Sequence, residues 1–156
     1  MINFGLDSMT VEFILRLIAS VFFGALVGLE REITRKPAGL RTHVLVSMGA
    51  CLFTIASFYM APNTSNIDYS RIAAGIVTGI GFIGAGSIIA TRGQVRGVTT
   101  AASLWITAAI GLMVGMGNYV LSFVAAVLSF LVLRVGKVER EIEEIEGIRK
   151  GTGRRR

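Results

Sequence analysis

The stretch RIAAGIVTGIGFIGAGSIIATRGQVRGVTTAAS, running from Arg71 to Ser103, decides how this chain is read. Its first part crowds Gly75, Gly79, Gly81, Gly84 and Gly86 among Ile, Ala, Val and Phe. Such a run makes a poor helix in water, but in lipid small residues let helices approach closely. Arg92, Gly93, Arg96 and Gly97 then interrupt the apolar sequence, and a second apolar run begins at once with Val98, Thr99 and Thr100. The pattern predicts a transmembrane hairpin with a tight, positively charged turn.

Composition around the stretch points the same way. Of 156 residues, 53% are hydrophobic and 17% charged, and the mean hydropathy is +0.66. That is too apolar for a soluble domain of this size, and the chain is too short for two domains. It reads as one small integral membrane protein whose first partner is the lipid bilayer. A net charge of +6 would suit nucleic acid, but the basic residues gather in turns and in the tail, so no nucleic-acid partner is expected. Cys51 is the single cysteine, which leaves no intrachain disulfide and no cysteine-based metal framework.

Hydropathy predicts an all-α bundle of about five spans, at residues 11–29, 42–60, 71–90, 99–117 and 119–135, each close to the ~20 residues that cross a ~30 Å hydrocarbon core. Residues 1–135 thus form one transmembrane domain and 136–156 a charged tail. No Lys or Arg precedes the first apolar run, so the basic start of a cleaved signal peptide is not expected. Arg31, Arg35, Lys36 and Arg41 fall in the first turn and Arg92 and Arg96 in the third. Every Lys and Arg from Arg134 onward lies in or beside the tail, which leaves only Arg16 and Arg71 within spans. By the positive-inside rule the N-terminus is expected outside and the C-terminus in the cytoplasm, as for a multi-pass protein of a cell's inner membrane. In the tail, Val135, Val138, Ile142 and Ile145 recur at helical spacing among glutamates, predicting a short amphipathic helix that extends the fifth span into water.

Two glycine pairs at GxxxG spacing, Gly24 with Gly28 and Gly111 with Gly115, suit either a homodimer or larger homo-oligomer or packing within one subunit. Gly79 and Gly84 are expected to pack inside the subunit. A faint internal repeat relates Gly28, Gly39 and Thr42 to Gly86, Gly97 and Thr100, the plan of two parallel hairpins plus a fifth helix.

Ionisable residues in or beside the spans carry most of the functional signal, because a charge left alone in hydrocarbon is costly. Arg16 either snorkels outward beside Glu12 or pairs with Asp68 of a neighbouring helix. Glu30 is expected to pair with Arg41 or Arg96. Two charge clusters follow, one of Arg16, Asp68 and Arg71 and one of Glu30, Arg41 and Arg96. His43 reads as a hydrogen-bonded structural residue rather than a ligand. It stands one helical turn from Ser47 with no nearby acid, so no catalytic residues are expected and the chain is not read as an enzyme. The GIGFIGAG run lacks a flanking strand, no cofactor is expected, and the few acids divide between opposite membrane faces, which leaves any metal site unassigned.

Four ordered blocks add a resemblance: GLERE at 28–32, KPAGLRTHVLVSMGA at 36–50, DYSRIAAGIVTGIGFIGAGSII at 68–89 and VRGVTTAASLWITAAIGLMVGMG at 95–117. Together they resemble the hallmark blocks of the MgtC/SapB family. The resemblance implies an inner-membrane protein of roughly five spans, linked to growth at low magnesium. It marks Lys36, Pro37, Gly39, Thr42, Gly84, Gly86, Gly97, Thr99, Thr100 and Trp105, along with the charged residues above and His43, as positions that matter. Relative to the family pattern, Gly75 stands where Gln is often found, and a short charged helix stands where some members carry a soluble C-terminal domain. Two function classes follow. One is a regulatory membrane protein that contacts itself or another membrane complex; the other is a small transporter or channel for Mg2+ or another ion.

Overall fold

The structure, a computed structural model, describes residues 7–60, 70–91 and 94–152, with side chains for all of these except 59, 91 and 137–152. Five helices and one small hairpin follow in order: α1 (Ser8–Ile33), α2 (Leu40–Tyr59), α3 (Ser70–Gly86), β1 (Ile89–Thr91), β2 (Gln94–Arg96), α4 (Val98–Gly115) and α5 (Tyr119–Thr152). Four of the helices, α1, α2, α4 and α5, are long and apolar enough to cross a membrane. The chain is a multi-pass membrane protein, and its surface agrees with that. Phe82 is 83% and Val120 77% exposed, and many other large apolar side chains face outward in the same way. Water would penalise such a surface, whereas lipid tails cover it without cost.

Local chemistry sets the helix ends. Asp7 caps α1 by accepting the Thr10 backbone N–H at 2.8 Å, and the hydrogen bonds from Thr10 hold its carboxyl below the usual carboxylate range. At the other end of α1, Arg35 takes a left-handed backbone conformation at φ 52°. Its N–H donates to the Glu32 carbonyl at 3.0 Å while the Lys36 N–H donates to the Arg31 carbonyl at 2.9 Å. This is the Schellman closure, with arginine where glycine is the usual residue. Glu32 then reaches forward, its carboxylate accepting the Leu40 N–H at 2.9 Å at the start of α2. Gly39, the N-cap of α2, has no side chain to do this itself, and an acid at a helix N-terminus is also favoured by the macrodipole.

The third predicted span is shorter than hydropathy suggests. α3 ends at Gly86, after 17 residues, rather than at Ala90. The Ser87 N–H and hydroxyl both bond to the Gly84 carbonyl, at 3.0 and 2.7 Å, and tighten the last turn so that the helix stops. The β-branched Ile89 then enters a strand, and on either side of the predicted basic turn β1 and β2 pair antiparallel, Ile89 with Arg96 and Ala90 with Val95, while Arg92 and Gly93 themselves lie outside the described residues. Gly97 ends it at φ 92°, where a Cβ would run into the Ser87 carbonyl, so glycine is required there. The fifth predicted span continues without a break to Thr152, so the tail helix is an extension of α5.

α2 packs against α1 and α4, while α4 also meets α1, α3 and α5, so α4 is the hub of the bundle. Phe23, Val27, Cys51, Ile55, Ile110, Val114 and Ala126 form the main core. A smaller cluster of Ala38, Ala50, Ile80, Leu104 and Ala108 ties α3 to the rest. Both GxxxG glycine pairs are packed inside the subunit, the second of the two readings their spacing allowed. A Cβ on Gly24 would lie 2.8 Å from Ser47 Cβ, and one on Gly28 2.9 Å from both His43 Cβ and Leu40 Cα. A Cβ on Gly111 would collide with the Ser47 carbonyl, and one on Gly115 would lie 2.6 Å from Thr54 Cβ. Gly79 reverses in the other direction: expected in an interhelical contact, it faces open space, as do Gly75, Gly81 and Gly86. Gly84 is packed as expected, with its Cβ direction pointing at Ala101 at an ordinary 3.6 Å.

Candidate functional site

Where α1 ends and α2 and α4 begin, a set of polar side chains is sealed from solvent. Glu30 is 2%, Arg31 3% and His43 0% exposed. Arg31 places Nη1 3.4 Å from Glu30 Oε2 and donates through Nη2 to Thr100 Oγ1 at 3.4 Å. These distances describe an ion pair with loose hydrogen bonds rather than a tight fork. On α2, His43 Nδ1 donates to the Gly39 carbonyl at 2.9 Å, which fixes the ring and turns Nε2 toward Ser103 Oγ at 3.1 Å. The Ser103 hydroxyl also reaches the Thr100 carbonyl at 2.8 Å. The result is a polar path from Gly39 through His43, Ser103, Thr100 and Arg31 to Glu30 that stitches α2, α4 and α1 together. Ser47, one turn beyond His43, is fully buried and its hydroxyl has no hydrogen-bond partner among the described residues.

The expected partners of Glu30 are elsewhere. Arg41 is exposed, and Arg96 is exposed on β2, where it bonds Gln94 Oε1 at 3.3 Å. The cation that meets Glu30 is its neighbour Arg31, read from sequence as a loop charge. The physical reason is that α1 extends to Ile33 and carries Arg31 inside, against the first turn of α4.

Arg16 organises the opposite end. Its Nε lies 3.0 Å from Glu12 Oε1, and Nη1 donates to the Gly115 carbonyl at 2.6 Å. Tyr119 donates its hydroxyl to the same Glu12 oxygen at 2.9 Å. The guanidinium also lies 5.4 Å from the centre of the Phe13 ring and 5.8 Å from that of Phe58. A cation at the carbonyl end of α4 is where the helix dipole favours one. Of the two readings of Arg16, the pair with Glu12 is present, while Asp68 lies outside the described residues. Arg71 is exposed on the first turn of α3 and lines the groove against α2.

The remaining marked positions scatter. Thr100 and Gly39 belong to the buried path. Thr42 lines the α2–α3 groove, Pro37 and Thr99 are exposed, and Trp105 is half exposed. Lys36 lines a cavity of about 280 Å3 with Glu30, Arg31, Thr34 and Arg35, closed on its apolar side by Ile33, Leu133 and Gly136. The α2–α3 groove is larger, about 850 Å3, and is bordered by Gly49, Gly75 and Gly79. Among the described residues no three His, Cys, Asp or Glu side chains gather to hold a metal ion. Sequence reasoning missed Arg31, Ser103, Glu32 and Tyr119. The only local signal was the spacing of Glu12 and Arg16, one turn apart on α1.

Comparison with known proteins supplies the rest. The model of the MgtC family matches residues 17–142. The protein named putative magnesium transporter YhiD, from Escherichia coli K12, is 48% identical over 132 residues, covering 81% of this chain and 61% of that protein. Protein MgtC of Salmonella typhimurium LT2 is 46% identical over 107 residues, covering 69% of this chain and 45% of that protein. Protein MgtC of Brucella abortus is 38% identical over 138 residues, covering 86% and 56%. The chain therefore spans less than two thirds of the length of these relatives. No solved structure matches.

Proposed function

This chain belongs to the MgtC family, and from that premise we propose that it is an inner-membrane protein of magnesium homeostasis that acts through protein contacts rather than by conducting an ion. The observation that carries this reading is the closure of the internal charges within the chain. Glu30 meets Arg31, Arg31 meets Thr100, and Arg16 meets Glu12 and the Gly115 carbonyl. Between the two ends lies the apolar core of Phe23, Val27, Ile55, Ile110 and Val114. Two buried hydroxyls along the way bond their own helices, Thr54 to the Ala50 carbonyl and Thr107 to the Ser103 carbonyl. Groups arranged this way stabilise a bundle more readily than they replace the hydration of a passing ion. The open groove beside Gly75 and Gly79 offers a surface for a second copy or for a helix of another membrane complex. The N-terminus faces outward and the basic turns face the cytoplasm. The chain carries no enzymatic activity in this reading.

The second reading, a magnesium transporter, is supported by the name of the Escherichia coli relative and by the buried carboxylate of Glu30 beside a cavity. Proteoliposomes holding only this protein and a Mg2+-sensitive dye separate the two. The contact reading expects entry no faster than into empty vesicles; saturable entry that Glu30→Gln abolishes would replace it with the transporter.

A further inference from the structure

We propose that the cavity at the end of α1 binds a phosphate group, the chemistry shared by an anionic phospholipid headgroup and free phosphate, with Arg35 as its specific contact. The first observation is conformational. Arg35 occupies the left-handed position of a Schellman closure, at φ 52°, where glycine closes a helix without strain. An arginine there works against the local backbone preference, and the side chain it brings lines the cavity.

The second observation is charge. The cavity wall holds Arg31, Arg35 and Lys36 against one carboxylate, Glu30, which already faces Arg31 at 3.4 Å. The nearest other acid in the turn, Glu32, is engaged by the α2 N-terminus through Leu40. The carbonyl end of α1 opposes an anion, but the Arg31 and Glu32 carbonyls are taken by the Schellman bonds, which weakens that opposition. Guanidinium groups suit phosphate because they present several donors in one plane.

The third observation is depth. Ile33 is the last residue of α1, and Leu133 and Gly136 lie where the apolar sequence of α5 gives way to Lys137 and the charged tail; all three border the cavity. Cations beside an apolar wall at the edge of two spans match a lipid phosphate with its chains running along Leu133.

The test uses the full chain purified in zwitterionic nanodiscs or mild detergent. Thermal unfolding is followed with short-chain phosphatidylglycerol, with phosphatidylcholine of the same length, and with inorganic phosphate. Phosphatidylglycerol is expected to raise Tm by about 3 °C or more while phosphatidylcholine does not, as expected for a ligand that binds only the folded state. Arg35→Gly should unfold no earlier than the parent without lipid, since glycine suits the closure, yet lose at least half of the phosphatidylglycerol shift. Arg35→Asn, which also tolerates the left-handed region, should behave alike, and Arg96→Gln in the other basic turn should keep the full shift. A shift with inorganic phosphate alone that is lost in Arg35→Gly would assign the cavity to free phosphate. A full phosphatidylglycerol shift in Arg35→Gly, or equal shifts with the two lipids, would overturn the proposal.

Discussion

Arg16 Nη1 lies 2.6 Å from the carbonyl oxygen of Gly115, joining α1 to the last turn of α4 across 99 residues of sequence. The bond closes a helix end that would otherwise leave a carbonyl facing a low-dielectric surrounding. Replacing Arg16 with Met removes it and also leaves Glu12 with Tyr119 alone. The expected loss is about 2 to 3 kcal/mol for a charged hydrogen bond to backbone, read from thermal or denaturant unfolding in detergent. Tyr119→Phe removes one hydrogen bond to the Glu12 carboxylate, which keeps Arg16 as its partner, and should cost less, about 1.5 kcal/mol. Equal effects of the two substitutions would mean that Arg16 acts only through Glu12.

The glycine contacts give a second prediction, a loss of stability at one set of residues and little change at another. Gly111→Ala forces α4 off the Ser47 carbonyl, and Gly24→Ala forces α1 off Ser47 and the His43 carbonyl, so each should destabilise by about 1 to 3 kcal/mol. Gly79→Ala meets open space and should leave monomer stability unchanged within about 0.5 kcal/mol, apart from any gain in helix propensity. If Gly79→Leu weakens crosslinking between copies in native membranes while sparing the fold, the α2–α3 groove is the oligomer surface. Unaltered crosslinking would remove that surface from consideration.

What could be read from sequence follows from which physical signals are local. α1, α2, α4 and α5 were legible because lipid demands a long apolar exterior, and hydropathy measures that demand directly. The end of α3 was not, since the run Ile88, Ile89, Ala90 is equally apolar as helix or as exposed strand, and the arrest comes from Ser87 folding back on Gly84. GxxxG spacing announced close approach at Gly24, Gly28, Gly111 and Gly115 but could not say whether the approaching helix belonged to the same chain. Glu30 was recognised as needing a cation, yet the partner chosen lies next to it in sequence. Adjacent helical residues do not ordinarily face each other, and the pair forms here because Thr100 on α4 draws Arg31 inward. The Tyr119 contact to Glu12 spans 107 residues and left no local trace.

Orientation is a third expectation. Reporter fusions after Lys36 and after Gly147 should report the cytoplasm, and a fusion after Asn118 the outside, because the basic residues crowd the turns at one end of the helices. A cytoplasmic signal at Asn118 would invert the topology, and the cavity at Arg35 would then open toward the outer leaflet.

The pair of Glu30 and Arg31 gives the prediction that separates structure from transport. Their side chains are 1% and 4% exposed and lie 3.4 Å apart. Removing one partner of a desolvated pair leaves the other charge uncompensated, at a typical cost of about 3 to 5 kcal/mol. Glu30→Gln and Arg31→Gln should each lower thermal stability by that order, and the double substitution should cost less than the sum, because no buried charge is then left alone. Exchanging the charges as Glu30→Arg with Arg31→Glu should recover part of the loss. Exchanging Glu30 with Arg96 instead should recover nothing, since Arg96 is exposed and bonded to Gln94. Unfolding curves and accumulation in membranes measure all five variants side by side. Additive losses for the first pair, together with rescue by the Arg96 exchange, would show that Glu30 looks toward the hairpin in the working protein. A Glu30→Gln variant with parent-like stability that has lost an ion-dependent activity would make the carboxylate a transport group rather than a strut.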